Sequence, residues 1–289
     1  MPKQKIINLI LFCAFFFGIM MSAGCGSVAE DPKEAVTTPV QTESDYFINN
    51  NDGTVTFTYQ NTGTKKVKAV VQKEDGKMYQ YDVPTGDITL TLPLTEGNGT
   101  YKLYICKNVK DNKYSVVEST SITLSLSDEN DAFLKPHVII NWNTTNEAIK
   151  EAQKLTENLD SDESRIKAIY EYVVTNYSYD YDKASTVNND NKTAYVPDID
   201  DTYATKTGIC YDLSSLFAAM LRSVNIPAKV VTGYTVKNVS YHAWNKIYYK
   251  PDKNWRTVDV TYDIQMYADG YRYNMFKKDE DYEDIVYIY

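Results

Sequence analysis

A single cysteine stands at the start of an amphipathic helical pattern in the middle of the chain. From Leu213 to Val224 the apolar residues recur at the i, i+3, i+4, i+7 spacing of a helix with one buried face. Cys210 therefore lies in the first turn of the predicted helix. There the unpaired backbone N–H groups and the positive end of the helix dipole favour a thiolate and offer donors to a developing oxyanion. Cys210 is thus a candidate nucleophile.

The choice of a general base is narrow, because the chain contains only two histidines. His137 directly follows a proline in a stretch without periodicity, and this context predicts a linker. His242 lies in the run 241–249, whose aromatic and β-branched residues predict a strand. His242 is therefore the candidate base.

A second strand pattern follows His242 and contains a carboxylate. Residues 255–262 alternate polar and apolar side chains and include Asp259. The residues between the two runs have the composition of a turn, so the pair is predicted to form a hairpin. With a loop at 250–253, Tyr249 pairs with Asn254.

This register brings the candidate base and the carboxylate onto one face of the sheet. His242 faces Thr261, and Asp259 is its diagonal neighbour within side-chain reach. A slip of one residue would put His242 and Asp259 on opposite faces. In the predicted arrangement Asp259 orients His242, which takes the proton of Cys210 and returns it to a leaving group. The three residues together predict acyl transfer through a thioester, whereas a lone cysteine in a helix is usually a small buried apolar residue.

Four segments around these residues resemble the bacterial transglutaminase-like domain, and they are 207–216, 221–234, 242–245 and 255–263. The resemblance covers roughly residues 145–265 and places Cys210, His242 and Asp259 at the matched catalytic positions. It implies a papain-like α+β fold and a cysteine acyltransferase or cysteine peptidase that acts on proteins or peptides. Asn225 stands where the family usually has glycine, and asparagine tolerates the left-handed conformation that ends a helix.

The residues before the nucleophile predict two further helices. Apolar residues have helical spacing over 145–159 and again over 160–177. Asp160 and Glu163 have the form of a capping box at the start of the second helix. Just after this helix, Tyr179 is a candidate side chain for the oxyanion site, with simple packing as the alternative.

A polar stretch, residues 183–206, separates these helices from the nucleophile and is predicted to be a loop. It contains three clustered acidic residues, Asp198, Asp200 and Asp201. Their spacing is not that of a calcium-binding loop, so a solvated acidic loop is the simpler interpretation. One histidine and one thiol without clustered spacing do not make a zinc site either, and no cofactor is predicted.

The N-terminus has the pattern of a bacterial lipoprotein signal. Two lysines precede an apolar run over 6–21, which is short for a membrane span. Small residues then precede Cys25, as in a lipobox. The pattern predicts a signal peptide over 1–24, lipidation of Cys25 and attachment to the extracytoplasmic face of the cell membrane. An ordinary signal peptide cut near Ala23 is the alternative.

Composition divides the remainder of the chain into three parts. Residues 25–44 are rich in Ser, Thr, Pro and acidic residues, which predicts a flexible tether. Residues 45–132 contain short alternating runs separated by turn signals, which predicts an all-β sandwich of immunoglobulin-like kind. Residues 133–289 are then the transglutaminase-like domain. Its aromatic end, 267–289, either covers the cleft or completes the sheet.

Charge and cysteine content limit the partners. The formal net charge of −9 argues against nucleic acid, and loss of Lys3 and Lys5 with the signal peptide makes the mature chain two charges more negative. Cys106 and Cys210 are the remaining thiols. A disulfide between them would abolish the nucleophile, and it would have to join a strand of one domain to a helix of the other.

Two classes of function stay open. A thioester at Cys210 passes its acyl group to an amine, giving transamidation, or to water, giving peptidase or amidase activity. The alternative is a binding or scaffold surface lipoprotein that retains the fold without turnover. The predicted partners are a protein or peptide substrate and the membrane, and the oligomeric state is open.

Overall fold

The computed structural model describes residues 44–74, 76–189, 195–236 and 238–289. The predicted signal peptide, the lipidation site Cys25 and the tether up to residue 43 lie outside the described residues. Among the helices of the described ranges, none is both long and apolar enough to cross a membrane.

The N-terminal part of the described chain consists of antiparallel strands. They are β1 (Phe47–Asn49), β2 (Thr54–Asn61), β3 (Val67–Lys73), β4 (Met78–Val83), β5 (Gly86–Pro93), β6 (Gly99–Lys110) and β7 (Lys113–Leu124). One sheet has the order β1-β2-β5 and the other β4-β3-β6-β7. Phe57 and Leu92 of the first sheet share a buried core with Leu103 and Ile105 of the second. The alternating residues thus form the strands that the pattern predicts, and the immunoglobulin-like kind of sandwich stays a prediction.

The C-terminal part combines helices with a third antiparallel sheet. The helices are α1 (Glu147–Thr156), α2 (Asp162–Asn176), α3 (Tyr181–Asn189), α4 (Ile199–Thr205), α5 (Cys210–Ser223) and α6 (Val260–Ala268). The strands are β8 (Ser178–Tyr179), β9 (Thr207–Gly208), β10 (Ala228–Thr235), β11 (Asn238–Tyr249), β12 (Asn254–Val258) and β13 (Asp284–Ile288). The sheet order is β12-β11-β10-β13, and β8 and β9 form a short parallel pair.

Helix α5 is the central element of this part. Its apolar face is fully buried, and it packs against β10, β11 and the helices α1, α2 and α4. The helix begins at Cys210, as the apolar spacing predicts. It ends before Asn225, which has the left-handed φ of 64° expected for that position. Cys210 is therefore fixed at the end of a rigid, buried helix.

The predicted hairpin has the predicted register over most of its length. Tyr249 pairs with Asn254, and Asn245 pairs with Val258. The prediction that the second strand continues to residue 262 is wrong, because β12 ends at Val258. Asp259 instead begins helix α6, and its carboxylate accepts a hydrogen bond from the N–H of Tyr262. His242 therefore does not face residue 261, which belongs to the helix.

The segment between α2 and α5 is also more ordered than the sequence predicts. In the described ranges, α3 and α4 occupy most of the stretch that was predicted to be a loop. Asp198 begins α4 and accepts hydrogen bonds from the N–H groups of Asp200 and Asp201, so the acidic cluster is a helix start. The predicted capping box at residue 160 is wrong, because Ser161 performs this role by accepting from the N–H of Ser164.

The aromatic C-terminal segment completes the sheet. Strand β13 pairs with β10, with Ile285 opposite Gly233. A side chain at position 233 would meet the carbonyl oxygen of Asp284 at 2.0 Å, so only glycine allows this approach. Strand β13 also contacts the N-terminal part, since Thr95, just after β5, donates to the carbonyl of Ile288 at 2.7 Å. The C-terminal strand therefore touches both halves of the chain.

Candidate active site

The nucleophile candidate lies where the sequence places it, in the first turn of α5. The thiol of Cys210 is half-buried. The turn is fixed by Asp212, whose carboxylate accepts a hydrogen bond of 3.0 Å from the N–H of Ile209. As the first residue of the helix, Cys210 has a backbone N–H without an intrahelical acceptor. This N–H is a candidate donor to an oxyanion formed beside the thiol.

The candidate base and its carboxylate are in direct contact. The ring nitrogen Nε2 of His242 lies 2.8 Å from Oδ2 of Asp259. The two side chains are only 12% and 3% exposed. Asp259 reaches the ring from the start of a helix, whereas the sequence predicted a diagonal contact between strands. The predicted contact between His242 and Asp259 is therefore present, but Asp259 makes it from a helix start and not from a strand.

The thiol completes the set. Cys210 lies close enough to His242 to raise the pKa of the imidazole, whose Nε2 contacts Asp259. The structure therefore brings the three sequence-predicted residues together in the order thiol, imidazole, carboxylate. This order is the one that proton transfer from a nucleophile to an oriented base requires.

Charge interactions hold the proton on the imidazole. Burial lowers the pKa of His242, but the Asp259 carboxylate and Cys210 outweigh it and raise the pKa of His242 to about 10. Burial has the opposite effect on Asp259 and raises its pKa. His242, the N–H of Tyr262 and the O–H of Tyr282 outweigh burial and hold the pKa of Asp259 below its ordinary value. At neutral pH the pair is an imidazolium held by a carboxylate.

A second buried carboxylate supports the same helix start. Asp263 lies one turn after Asp259, accepts a hydrogen bond of 2.8 Å from Tyr170 of α2 and pairs with Lys277. Burial raises the pKa of Asp263 to about 6, and Lys277 opposes this rise. The pair could not be predicted from the sequence, because Lys277 lies in a segment without a periodic pattern.

Tyr179 is close to the thiol. It lies on β8, where it pairs with Gly208, two residues before Cys210. Burial above all, and then Cys210, raise the pKa of Tyr179 to about 12, so its hydroxyl keeps its proton at neutral pH and can donate a hydrogen bond. The oxyanion role of Tyr179 stays a prediction.

Asp212 connects the nucleophile turn to the α3 region. It is fully buried and pairs with Lys183 at 2.9 Å, and Tyr195 donates to its other oxygen. This contact has no signal in the sequence, because Lys183 and Tyr195 come from a stretch whose composition predicts a solvated loop. The buried carboxylate holds that stretch against the start of α5.

The other sequence-predicted candidates lie elsewhere. His137 is buried rather than part of an open linker, and burial and Arg222 lower its pKa. Arg222 is in the last turn of α5, about 18 Å along the helix from Cys210. Cys106, on β6, and Cys210 are both free thiols. Within the described ranges, no three His, Cys, Asp or Glu side chains are grouped so that they could hold a metal ion.

Comparison with known proteins gives a consistent result. Residues 149–260 match the family described as the transglutaminase-like superfamily, and this region contains all three contacting residues. The uncharacterized protein YebA of Bacillus subtilis (strain 168) is 31% identical over 127 residues, which are 38% of this chain and 17% of that protein. A protein-glutamine gamma-glutamyltransferase of Pseudomonas aeruginosa is 33% identical over 79 residues, which are 23% of this chain and 12% of that protein. The chain thus matches only a small part of each relative.

Among solved structures, a candidate cysteine protease from Cytophaga hutchinsonii has 18% sequence identity and a TM-score of 0.39. The alignment covers 72% of each chain. Residues 149–260 of this chain therefore match the transglutaminase-like superfamily, and they have its papain-like α+β fold.

Proposed function

We propose that this protein is an enzyme that transfers acyl groups of protein or peptide substrates through a thioester at Cys210. The observation that carries the proposal is the contact of His242 with Asp259 beside Cys210, whose thiol lies at a helix N-terminus. A buried carboxylate, an oriented imidazole and a half-buried thiol are the groups that nucleophilic acyl transfer needs.

The first half of the reaction forms the thioester. The sulfur of Cys210 attacks the carbonyl carbon of the substrate amide, while the thiol proton resides on His242. The negative charge that develops on the carbonyl oxygen is stabilised by the N–H of Cys210 and, as the second donor, the hydroxyl of Tyr179. The C–N bond then breaks, and His242 gives its proton to the departing amine.

The second half of the reaction releases the acyl group. An amine or a water molecule attacks the thioester carbon, and His242 accepts the proton of the attacking group. The C–S bond breaks, and Cys210 is restored. Asp259 keeps the imidazole in place through both halves by its contact with Nε2.

The acceptor is proposed to be an amine, which gives transamidation. The Pseudomonas aeruginosa relative is named a protein-glutamine gamma-glutamyltransferase, and this name supports an amine acceptor. Water is the competing acceptor and gives hydrolysis from the same thioester. Exposed aromatic side chains near the thiol, among them Tyr181 beside Tyr179, would suit contacts with a peptide.

The proposed location is the extracytoplasmic face of the cell membrane. This part of the proposal is supported by the lipobox-like residues before Cys25 and by the composition of residues 25–44. Acyl chains on Cys25 would anchor the protein stably, and the tether would let the enzyme reach neighbouring proteins or peptides. Its test is metabolic labelling with a fatty acid, which Cys25→Ser should abolish.

The proposed chemistry is tested by the reactivity of Cys210. Iodoacetamide labelling at about pH 6 should be fast in the wild type and slow in His242→Ala and Asp259→Ala. Cys106→Ser is the matched control and should label at Cys210 like the wild type. Slow labelling that is equal in all of these proteins would favour the alternative, a binding or scaffold lipoprotein.

The acceptor is then identified with a glutamine-containing protein substrate. Incorporation of a fluorescent primary amine should require Cys210, and Cys210→Ser should abolish it. Release of free acid or new N-termini without amine incorporation would identify hydrolysis instead.

A further inference from the structure

The C-terminal segment contributes one more polar group, the hydroxyl of Tyr282, to the candidate site. Tyr282 is only 8% exposed, and its hydroxyl donates a hydrogen bond of 2.9 Å to Oδ2 of Asp259. The same oxygen contacts Nε2 of His242. The ring of Tyr282 packs edge-on against Trp244, which lies two residues after His242 on β11. Tyr282 and His242 therefore share one acceptor atom.

We propose that Tyr282 is a positioning residue that sets how strongly Asp259 holds the proton of His242. The proposal rests on the proposed function of Cys210, His242 and Asp259. Tyr282 does not touch the thiol in the contacts described above, so it acts through Asp259 alone. Its role is to fix the carboxylate and to share the negative charge of Oδ2.

The position of Tyr282 is fixed from both sides. Its N–H donates to the carbonyl of Asp279 at 2.9 Å, within a short 3-10 turn. The N–H of Val236, at the end of β10, donates to the carbonyl of Asp281 at 3.0 Å. The hydroxyl of Thr257 on β12 bonds to the carboxylate of Asp279. The turn that carries Tyr282 is thus attached to two strands of the sheet.

The N-terminal sheets hold the strand that follows Tyr282. Lys77 donates to the carbonyl of Ile285 at 3.0 Å, and Thr95 donates to that of Ile288. The ring of Tyr79 on β4 lies 5.2 Å from that of Tyr287. Strand β13 is therefore bound on one side by β10 and contacted on another by the N-terminal part. This arrangement gives the N-terminal part a role in keeping Tyr282 in place.

The hydroxyl of Tyr282 affects the two protonation states of His242 unequally. When His242 is an imidazolium, its charge already neutralises the carboxylate of Asp259. When His242 is neutral, the carboxylate depends more on the hydrogen bond from Tyr282. The hydroxyl therefore stabilises the neutral state more, and its removal should raise the pKa of His242. A histidine with a higher pKa is a weaker acid toward the leaving amine.

The hydroxyl must keep its own proton in order to act in this way. Burial, together with Asp259, raises the pKa of Tyr282, so the proton is retained at physiological pH. The other titratable groups that face this arrangement come from several elements and are Cys210, Tyr170, Asp263, Lys277 and Asp281.

The experiment is an NMR titration of the histidine rings in the full chain. The chain has only two histidines, and the buried His137, with its lowered pKa, serves as an internal reference. Between about pH 6 and about pH 11, Tyr282→Phe should shift the His242 titration upward by about 0.5–1 pH unit. Tyr287→Phe removes a hydroxyl from the same segment without touching Asp259 and should leave the titration unchanged.

Kinetics provide the second measurement. Tyr282→Phe should lower kcat about fivefold to tenfold and leave KM unchanged, because the buried Tyr282 acts through Asp259. Titration curves that coincide for the wild type and Tyr282→Phe, in proteins of equal thermal stability, would overturn the proposal. If wild-type Cys210 itself labels slowly, the proposed function fails, whereas a shifted His242 titration would still establish the link between Tyr282 and His242.

Discussion

Asp259 contacts His242 from the N-cap position directly before helix α6, with 2.8 Å between Oδ2 and Nε2. The same carboxylate uses Oδ1 to accept the N–H of Tyr262 and thereby begins the helix. One residue thus terminates a strand, starts a helix and orients the imidazole. The helix dipole places positive charge near this carboxylate and favours its ionised form.

Asp259→Asn separates the two roles of this residue. Asparagine can still accept the N–H of Tyr262, but it cannot pair with an imidazolium as a carboxylate does. We expect about a 10²–10⁴-fold loss of kcat with little loss of stability. Asp259→Ala should lose activity to a similar extent and a further ~1 kcal/mol of unfolding free energy. Steady-state kinetics and chemical denaturation measure both effects, and full activity in Asp259→Asn would contradict the assigned role.

Stability should depend on pH through His242. Its pKa is raised in the folded protein from the ordinary value of 6.5 to about 10. The stabilisation is therefore fully present below about pH 6.5 and is lost as the pH rises toward 10. The Tm of the wild type should exceed that of His242→Gln most near neutral and mildly acidic pH, and the difference should vanish near pH 10. Each kcal/mol of unfolding free energy corresponds to about 2–4 °C in Tm. A difference that grows with rising pH would contradict the assigned charge state.

Lys277→Met should leave the carboxylate of Asp263 buried without its cation. Lys277 is 10% exposed and Asp263 is fully buried, so the expected cost is about 3–5 kcal/mol at neutral pH. The cost should be smaller at about pH 5, because the pKa of Asp263 is already raised to about 6 and its carboxyl group can protonate. Chemical denaturation at the two pH values measures this. Adding Asp263→Asn to Lys277→Met should recover part of the stability, and no recovery would argue against the pair.

Gly233→Ala should displace strand β13. The new side chain would meet the carbonyl oxygen of Asp284 at 2.0 Å, which no rotation can relieve. We expect a lower Tm and, because Tyr282 precedes this strand, an upward shift of the His242 titration like that of Tyr282→Phe. Gly63→Ala is the control, since its nearest neighbour would be at 3.9 Å. Equal behaviour of the two variants would show that the close approach of β13 is unimportant.

Thr95→Val tests the contact between the N-terminal sheets and β13. It removes the hydroxyl that donates to Ile288 and leaves a side chain of similar shape. The expected loss of unfolding free energy is about 1 kcal/mol. Hydrogen exchange should show faster opening of the amide of Tyr289, which bonds to Val230 of β10. Unchanged exchange at this amide would mean that β10 alone holds the strand.

Local patterns predicted the elements that depend on near neighbours. The start of α5 at Cys210, the left-handed Asn225 and the pairing of Tyr249 with Asn254 follow from spacing and turn residues within a few positions. The end of β12 could not be predicted in this way, because Val258, Val260 and Ile264 fit a strand and a helix equally over so short a run. Only the side-chain contact of Asp259 with the next turn decides between the two.

The supporting contacts of the site could not be predicted from the sequence. Tyr282 lies 23 residues after Asp259, in a segment whose many tyrosines give no sign of which one reaches the carboxylate. Lys183 and Tyr195 belong to a polar stretch whose helices lack a clear apolar face, so their contact with Asp212 has no local signal. The three predicted residues were recognised from their types and order, whereas their environment depends on tertiary packing.

The bond between Lys77 and the carbonyl of Ile285 joins residues that are 208 positions apart. Contacts with such a large sequence separation close long loops, and they form after local turns, helices and hairpins in most folding reactions. Helix α5 and the hairpin of β11 and β12 are local and can form early. We therefore expect the nucleophile, the base and the carboxylate to meet before the C-terminal strand docks, so that full activity would develop only in the last phase of refolding.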